Sequence, residues 1–186
     1  MQATDPELVQ QIRRGDQGAF RELVRRHADG LFAMAYSLLG SAPDAEDAVQ
    51  ETLMTALKRF ASFEGRSTVG TWMRGILVFK ADKIRRSRRL RTALPLQDFD
   101  QGGAAGSADK GLVRDSAVAA VDSRADAKVM LDSLSHEHRE ILVLRELEQL
   151  SYDEISKMLK IPVGTVESRL FRARQELKKR FKIERD

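Results

Sequence analysis

Apolar residues return at three- and four-residue intervals along most of this chain, and no stretch alternates apolar and polar as a half-buried strand does. Thr4-Asp-Pro-Glu7 supplies an N-cap, an early proline and a glutamate three residues on, so a helix begins there and stops at Gly15. Phe20, Leu23, Val24, Leu31, Phe32, Ala35, Leu38 and Leu39 mark one helix up to Gly40, with Asp29-Gly30 as the place where it would break. After the turn Ser41-Ala-Pro-Asp44, the positions Ala45, Ala48, Val49, Thr52, Leu53, Ala56, Leu57 and Phe60 form one apolar stripe. The opposite face carries Glu46, Asp47, Gln50, Glu51, Lys58 and Arg59. A loop, Glu64 to Thr68, leads into a helix with Val69, Trp72, Met73, Ile76 and Leu77 inward.

From Arg91 to Ala127 the periodicity is lost and small and acidic residues take over, as in Gln101-Gly-Gly-Ala-Ala-Gly-Ser-Ala-Asp109. Such a stretch buries too little apolar surface to offset its ordering entropy, so it reads as a flexible acidic linker. Beyond it, helices are expected from about Lys128 to Leu134 and from His136 to Leu147. Ser151-Tyr-Asp-Glu154 is a capping box for a short helix to Leu159, and after Ile161-Pro162 a final helix runs from about Val163 to Phe181. The expected fold class is all-α: two small helical domains, residues 1–90 and 128–186, joined by a linker at 91–127. Each is small enough to be marginal in core size.

The 186 residues carry 32 Lys+Arg and 28 Asp+Glu, a net charge of +4, which is too small to name a partner. Its distribution is more informative: residues 1–90 and 128–186 are net basic and the linker is net acidic. The absence of cysteine removes a disulfide framework, a thiolate nucleophile and any Cys-based zinc site, and fits a reducing cytoplasm. The longest apolar run, Leu31 to Tyr36, is six residues, far short of the ~20 a membrane span needs. No signal peptide or membrane insertion is expected, and no cofactor or metal.

Chemistry concentrates in two places. The helices Tyr152–Leu159 and Val163–Phe181 are separated by a short turn, with Ile155, Leu159, Ile161, Val166 and Leu170 spaced for a shared core. That is a helix-turn-helix, and its second helix is the basic one. In such a motif the start of the second helix meets base edges while Arg and Lys neutralise phosphates. Thr165, Glu167, Ser168, Phe171 and Arg172 are thereby assigned to the groove. The second place is Lys80 to Arg91, where seven cations are offset only by Asp82. Aromatic rings beside a cationic stripe suit a single strand, since every base has a face and every phosphate a charge. Phe79 falls outside the core register and should be exposed, whereas Trp72 has the spacing of a core anchor.

Asp44-Ala-Glu-Asp-Ala-Val-Gln-Glu-Thr-Leu53, Phe63 through Trp72, Leu150-Ser-Tyr-Asp-Glu-Ile155 and Ile161-Pro-Val-Gly-Thr-Val-Glu-Ser-Arg-Leu-Phe-Arg-Ala-Arg174 together resemble the extracytoplasmic-function sigma factors of bacterial RNA polymerase. The resemblance covers nearly the whole chain in the family's order. It implies a factor that binds core RNA polymerase, directs initiation at defined promoters, and does no catalysis itself. Asp44, Asp47, Gln50 and Glu51 would contact core polymerase. Phe63, Ser67 and Thr68 would capture a base flipped from the minus-ten element, with Trp72, Arg74, Phe79, Lys83 and Arg86 along the path of that strand. Thr165, Glu167, Ser168, Arg169, Phe171 and Arg172 would read the minus-thirty-five element as duplex. An anti-sigma factor that clamps the modules together is a further implied partner.

Some residues depart from the family's habits. Phe79 stands where Asn is frequent, and Glu167 where a cation is common, although a carboxylate accepts from cytosine N4. Ser156 and Lys160 replace a usual Ala and Gly at the end of the first helix of the motif. The competing reading is a stand-alone helix-turn-helix regulator with a sensor or dimerisation domain in front, for which the Asp44–Arg89 block has no use. An enzyme is disfavoured, because His136-Glu-His138 lacks zinc-protease spacing and Gly102-Gly-Ala-Ala-Gly106 is no phosphate loop.

Overall fold

A computed structural model describes residues 3–93 and 126–181, and within them every regular element is helical. The N-terminal module holds α1 (Asp5–Arg13), α2 (Gln17–Leu39), α3 (Ala42–Arg59) with a 3-10 turn Phe60–Ser62, and α4 (Val69–Ala93). The C-terminal module holds α5 (126–132), α6 (His136–Leu142) with a π-helical segment Val143–Leu147, α7 (Tyr152–Leu159) and α8 (Val163–Phe181). Residues 94–125, most of the expected linker, lie outside the described residues. The helices run past its expected limits on both sides: Arg91–Ala93 continue α4, where nothing breaks the helix, and residues 126–127 already belong to α5.

The caps form as the sequence dictates. Thr4 N donates to Glu7 at 2.6 Å, Asp16 accepts from Gly18 N and Ala19 N, and Ser151 N donates to Glu154 at 2.8 Å. Gly40 ends α2 at φ 69, a left-handed conformation that only glycine adopts cheaply. A Cβ there would also sit 3.0 Å from Asp132 Oδ1 of α5. No break appears at Asp29-Gly30; α2 is continuous from Gln17 to Leu39. The burial of Leu23 and Leu31 on either side outweighs the roughly 1 kcal/mol that a mid-helix glycine costs.

In the N-terminal module α2, α3 and α4 pack side by side, with α1 across the end, around Leu23, Met34, Met73 and Leu77, which are fully buried. Each such side chain contributes about 1.5–3 kcal/mol by leaving water. Of the α3 stripe, Ala45, Ala48, Thr52, Ala56 and Phe60 are buried, while Leu57 is exposed. Thr52 is tolerated there because its hydroxyl donates to Ala48 O at 2.7 Å. The small residues of α3 let the helices approach closely. In the C-terminal module Ile141, Val143, Leu144, Ile155, Val166, Leu170 and Ala173 form the core.

The expected helix His136–Leu147 changes hydrogen-bond register at Val143. The wider π turn buries both Val143 and Leu144 and turns Leu147 outward. Arg145 reinforces the exit from that turn: it donates to Leu150 O at 2.9 Å and lies 5.2 Å from the centre of the Tyr152 ring.

The two modules touch. Arg139 of α6 approaches Leu38 O at the end of α2, Arg74 of α4 pairs with Glu148, and Met158 of α7 packs over Gly75. His136 lies 3.7 Å from Asp82 of α4 and the same distance from Glu140.

Candidate nucleic-acid and polymerase interface

On α3 the polar face splits in two. Asp47 and Gln50 are exposed, whereas Glu51 accepts from Lys80 at 2.9 Å and Asp44 pairs with Arg88 at 2.6 Å. The hydrogen bond from Lys80 holds the Glu51 carboxyl below its ordinary range. Half of the acidic face expected for polymerase thus also clips α3 to the cationic helix α4.

The loop between Phe60 and Val69 is anchored at one end by apolar packing and at the other by hydrogen bonds. Phe60, Phe63 and Trp72 form an aromatic cluster, with ring centres 4.9 Å apart for Phe63 and Trp72 and 5.5 Å for Phe60 and Trp72. Arg13 of α1 donates to Phe63 O. Phe63 is therefore buried. The ring is enclosed by the cluster and supports the loop from beneath. Ser67 and Thr68 are exposed; Thr68 Oγ1 lies 2.9 Å from Thr71 Oγ1 and accepts from Thr71 N at 3.1 Å, capping α4. Trp72 is half-buried, one side in the cluster and the other facing a cavity.

Phe79 is 70% exposed, as its register predicts. It shares that cavity with Ser67 and Trp72, so three of the eight minus-ten candidates converge on one hollow. Lys83 and Arg86 lie further along α4, exposed. Arg86 pairs with Asp82, and so does Arg85. Burial opposes ionisation of Asp82, yet hydrogen bonds from Arg85 and Arg86 keep its carboxyl below the usual range. Arg74 is turned toward the C-terminal module by Glu148.

The helix-turn-helix presents a clear outer face. Glu167, Ser168, Phe171 and Arg172 are exposed on α8, Phe171 by 64%. Thr165 is half-buried and accepts from the Ser168 hydroxyl at 3.1 Å through its carbonyl. Arg169 turns to the flank, where it pairs with Glu137 of α6 at 3.1 Å. Lys160 adopts φ 56, ψ 45, and Ser156 donates to Ile161 O at 2.6 Å. Ser156 thus closes the turn that a left-handed Lys160 opens, a pairing that explains the two departures together. Among the described residues no group of three or more His, Asp and Glu is arranged to hold a metal ion.

Sequence reasoning missed the contacts between modules. Glu148, Glu140, His136 and Arg139 carry no local motif. Their significance comes from facing α2 and α4 across more than fifty residues of sequence.

Family models match in the same two places: Sigma-70 region 2 over residues 23–90 and Sigma-70, region 4 over residues 125–177. The chain is 33% identical over 182 residues to the ECF RNA polymerase sigma-E factor of Salmonella typhimurium, covering 95% of this chain and 93% of that protein. This chain belongs to the extracytoplasmic-function sigma factors. It is also 36% identical over 168 residues to the ECF RNA polymerase sigma factor SigE of Mycolicibacterium smegmatis, covering 88% of this chain and 63% of that relative.

Two solved structures share the fold over most of their length. CnrH, in complex with the cytosolic domain of CnrY, superposes with a TM-score of 0.68 at 25% identity, over 97% of this chain and 99% of that one. RpoE of Bartonella quintana, in complex with the anti-sigma factor NepR, gives 0.64 at 29% identity, over 89% and 98%. The matches span both modules of this sigma factor, which removes the stand-alone regulator. Among the described residues no helix is long and apolar enough to cross a membrane.

Proposed function

We infer that this sigma factor acts in the cytoplasm, docks on core RNA polymerase through α3, engages the melted minus-ten element along α4 and its preceding loop, and reads the minus-thirty-five element with α8. Residues 1–90 and 128–186 are the two working domains, with 91–127 as the connection that occupies the polymerase channel. The polymerase does the chemistry, and this chain supplies recognition and strand capture. One observation carries the reading: a single chain pairs an exposed aromatic on a cationic helix, Phe79 among Lys80, Lys83 and Arg86, with a helix-turn-helix that exposes Glu167, Ser168, Phe171 and Arg172.

In this reading Asp47 and Gln50 make the first polymerase contacts, and Asp44 and Glu51 join them. Ser67, Thr68 and the open side of Trp72 receive the flipped base, while Phe63 holds the loop in place. Phe79 stacks on the next base, and Arg74, Lys83 and Arg86 follow the phosphates. On α8, Arg169 and Arg172 neutralise phosphates or meet guanine, Glu167 accepts from cytosine, and Thr165, Ser168 and Phe171 fill the groove.

The two elements of such a promoter are separated by tens of base pairs at 3.4 Å each, so the modules must part to reach both. Residues 93 to 126 can span roughly 110 Å when extended, by covalent geometry alone.

An anti-sigma factor is the expected regulator, as in the solved complex of RpoE with NepR. An apolar groove of about 640 Å³ runs between α2, α5 and the π-helical segment, with Phe32, Tyr36, Leu131 and Leu147 on its walls. The apolar face of an amphipathic helix fits such a groove.

The test is in vitro transcription with purified core polymerase on a library of promoter fragments. A discrete start site that depends on this chain supports the reading. Tight duplex binding by the free protein with no promoter-specific transcript refutes it.

A further inference from the structure

The hollow that gathers Ser67, Trp72 and Phe79 has a volume of about 910 Å³, the size of a site for a small molecule. Its walls come from both modules. Lys58 and Arg59 enter from the end of α3, Lys157 and Lys160 from α7 and its turn. None of these four has an ion-pair partner among the described residues. The acid on the wall, Glu154, accepts from Ser151 N and Oγ at 2.8 Å in the capping box of α7 and offsets part of the Lys157 charge, leaving a positive surplus in the hollow. Lys80 and Arg66, also on the wall, are paired with Glu51 and Glu64.

Four unpaired cations round one hollow repel one another and form a focused positive field, which a polyanion would relieve. The aromatic side of the hollow adds a second requirement. Phe79, exposed, and the open side of Trp72 present ring surface to a flat partner. Phosphates for the cations and a base for the rings together describe a nucleotide.

A continuous DNA strand is the other polyanion with bases. While the modules touch, however, the Met158 side chain stands over Gly75 and α7 forms the far wall of the hollow, so a strand running along α4 past Gly75 would meet it. A free nucleotide is short enough to fit beneath. We propose that this cavity binds a nucleoside oligophosphate, its phosphates held between Lys58 and Arg59 on one side and Lys157 and Lys160 on the other, and its base against Phe79. The bound nucleotide joins the two modules and occupies the aromatic surface assigned above to the minus-ten strand. It therefore favours the closed arrangement over the promoter-bound one. The site rests on the cavity and its charges, and holds or fails whether or not α4 follows a promoter strand.

Trp72 is the sole tryptophan and reports on the cavity directly. The full chain, without polymerase, is titrated with ATP, inorganic tripolyphosphate and adenosine while Trp72 emission is followed at low salt. ATP should quench with half-saturation below roughly 100 μM, tripolyphosphate should compete about tenfold more weakly, and adenosine should leave the signal unchanged. Lys157→Gln with Lys160→Gly removes the α7 charges without disturbing the turn, since glycine accepts the left-handed conformation. This variant should lose ATP affinity about tenfold or more, and Phe79→Ala should bring ATP down to the level of tripolyphosphate. No ATP-dependent change at about 1 mM overturns the proposal. Unaltered ATP affinity in the Lys157/Lys160 variant overturns it too, because the nucleotide would then sit on the N-terminal module alone. In either case promoter-specific transcription would still decide the sigma reading independently.

Discussion

Glu140 is the buried acid that the contact between modules makes most sensitive to pH. It lies on α6, 12% exposed, facing Asp82 of α4, with His136 3.7 Å away. Burial, and then the negative charge of Asp82, push its carboxyl up from 4.5 to about 7, against the pull of Arg85 and Arg169; Glu137 nearby pushes the same way. A group whose folded value is raised leaves stability intact below the unfolded value, and stability falls as pH climbs through the folded one. The window here runs from the ordinary carboxylate range up to about 7.

The rise corresponds to roughly 3 kcal/mol at full ionisation, at about 1.36 kcal/mol per pH unit. Glu140→Gln keeps the shape and removes the ionisation. Urea unfolding at about pH 5 should therefore find the variant more stable by roughly 1 kcal/mol, and at about pH 8 by roughly 3. His136 opposes the trend in both proteins. Burial, and then Arg85, depress its imidazole to about 4, so its contribution is present above the ordinary histidine range and is lost as pH falls toward that value. It is common to variant and wild type, and the difference between them isolates Glu140. A difference that stays constant from about pH 5 to pH 8, or grows toward acid, would refute the reasoning. It would mean that Glu140 is ionised in the folded protein and held there by its cationic neighbours.

Other outcomes follow from the packing and the exposed faces. Lys160→Gly should raise stability by about 1 kcal/mol, because φ 56 strains a residue with a Cβ, and a thermal melt checks it. Met73→Ala, at a fully buried position, should cost about 2–5 kcal/mol in urea unfolding. Arg172→Ala should weaken use of the upstream element and reduce the salt slope of holoenzyme binding by about one, whereas Phe79→Ala should spare binding and impair opening, read as lower permanganate reactivity of the melted thymines. Glu148→Gln releases Arg74 and should raise the affinity of the free chain for a minus-ten single strand severalfold at low salt, measured by fluorescence anisotropy.

Local rules carried most of the fold. The capping pairs Thr4/Glu7 and Ser151/Glu154 and the stop at Gly40 are short-range chemistry, visible within four residues. So is the outward register of Phe79. What stays hidden lies where distant packing decides. The helix survives Gly30 because Leu23 and Leu31 are buried on either side, and the π turn at Val143 accompanies the burial of four consecutive apolar residues, Ile141 to Leu144. The burial of Phe63 is likewise not legible locally, because Phe60 and Trp72 close round it from two other elements.

The cations of α4 illustrate the same limit in function. In sequence Lys80, Arg85, Arg86 and Arg88 belong to one uniform basic stripe, with Arg74 six residues before it. In the structure Lys80 is paired to Glu51, Arg85 and Arg86 to Asp82, and Arg88 to Asp44, all within the N-terminal module. Separation of the modules leaves those pairs in place. Arg74 differs, because its partner Glu148 belongs to the other module, and it becomes available to phosphate only when the two part. Opening also uncovers Gly75 and removes the α7 wall of the cavity that Trp72 faces, one helical turn or less away. Among these cations the change is thus confined to Arg74 at the start of α4, beside the loop that would receive the flipped base. Lys83, exposed and unpaired among the described residues, is the same in both arrangements. A strand meeting the closed chain would therefore find its phosphate contacts at the far end of α4 and Arg74 withdrawn at the near end, so module separation would govern melting more than initial attachment.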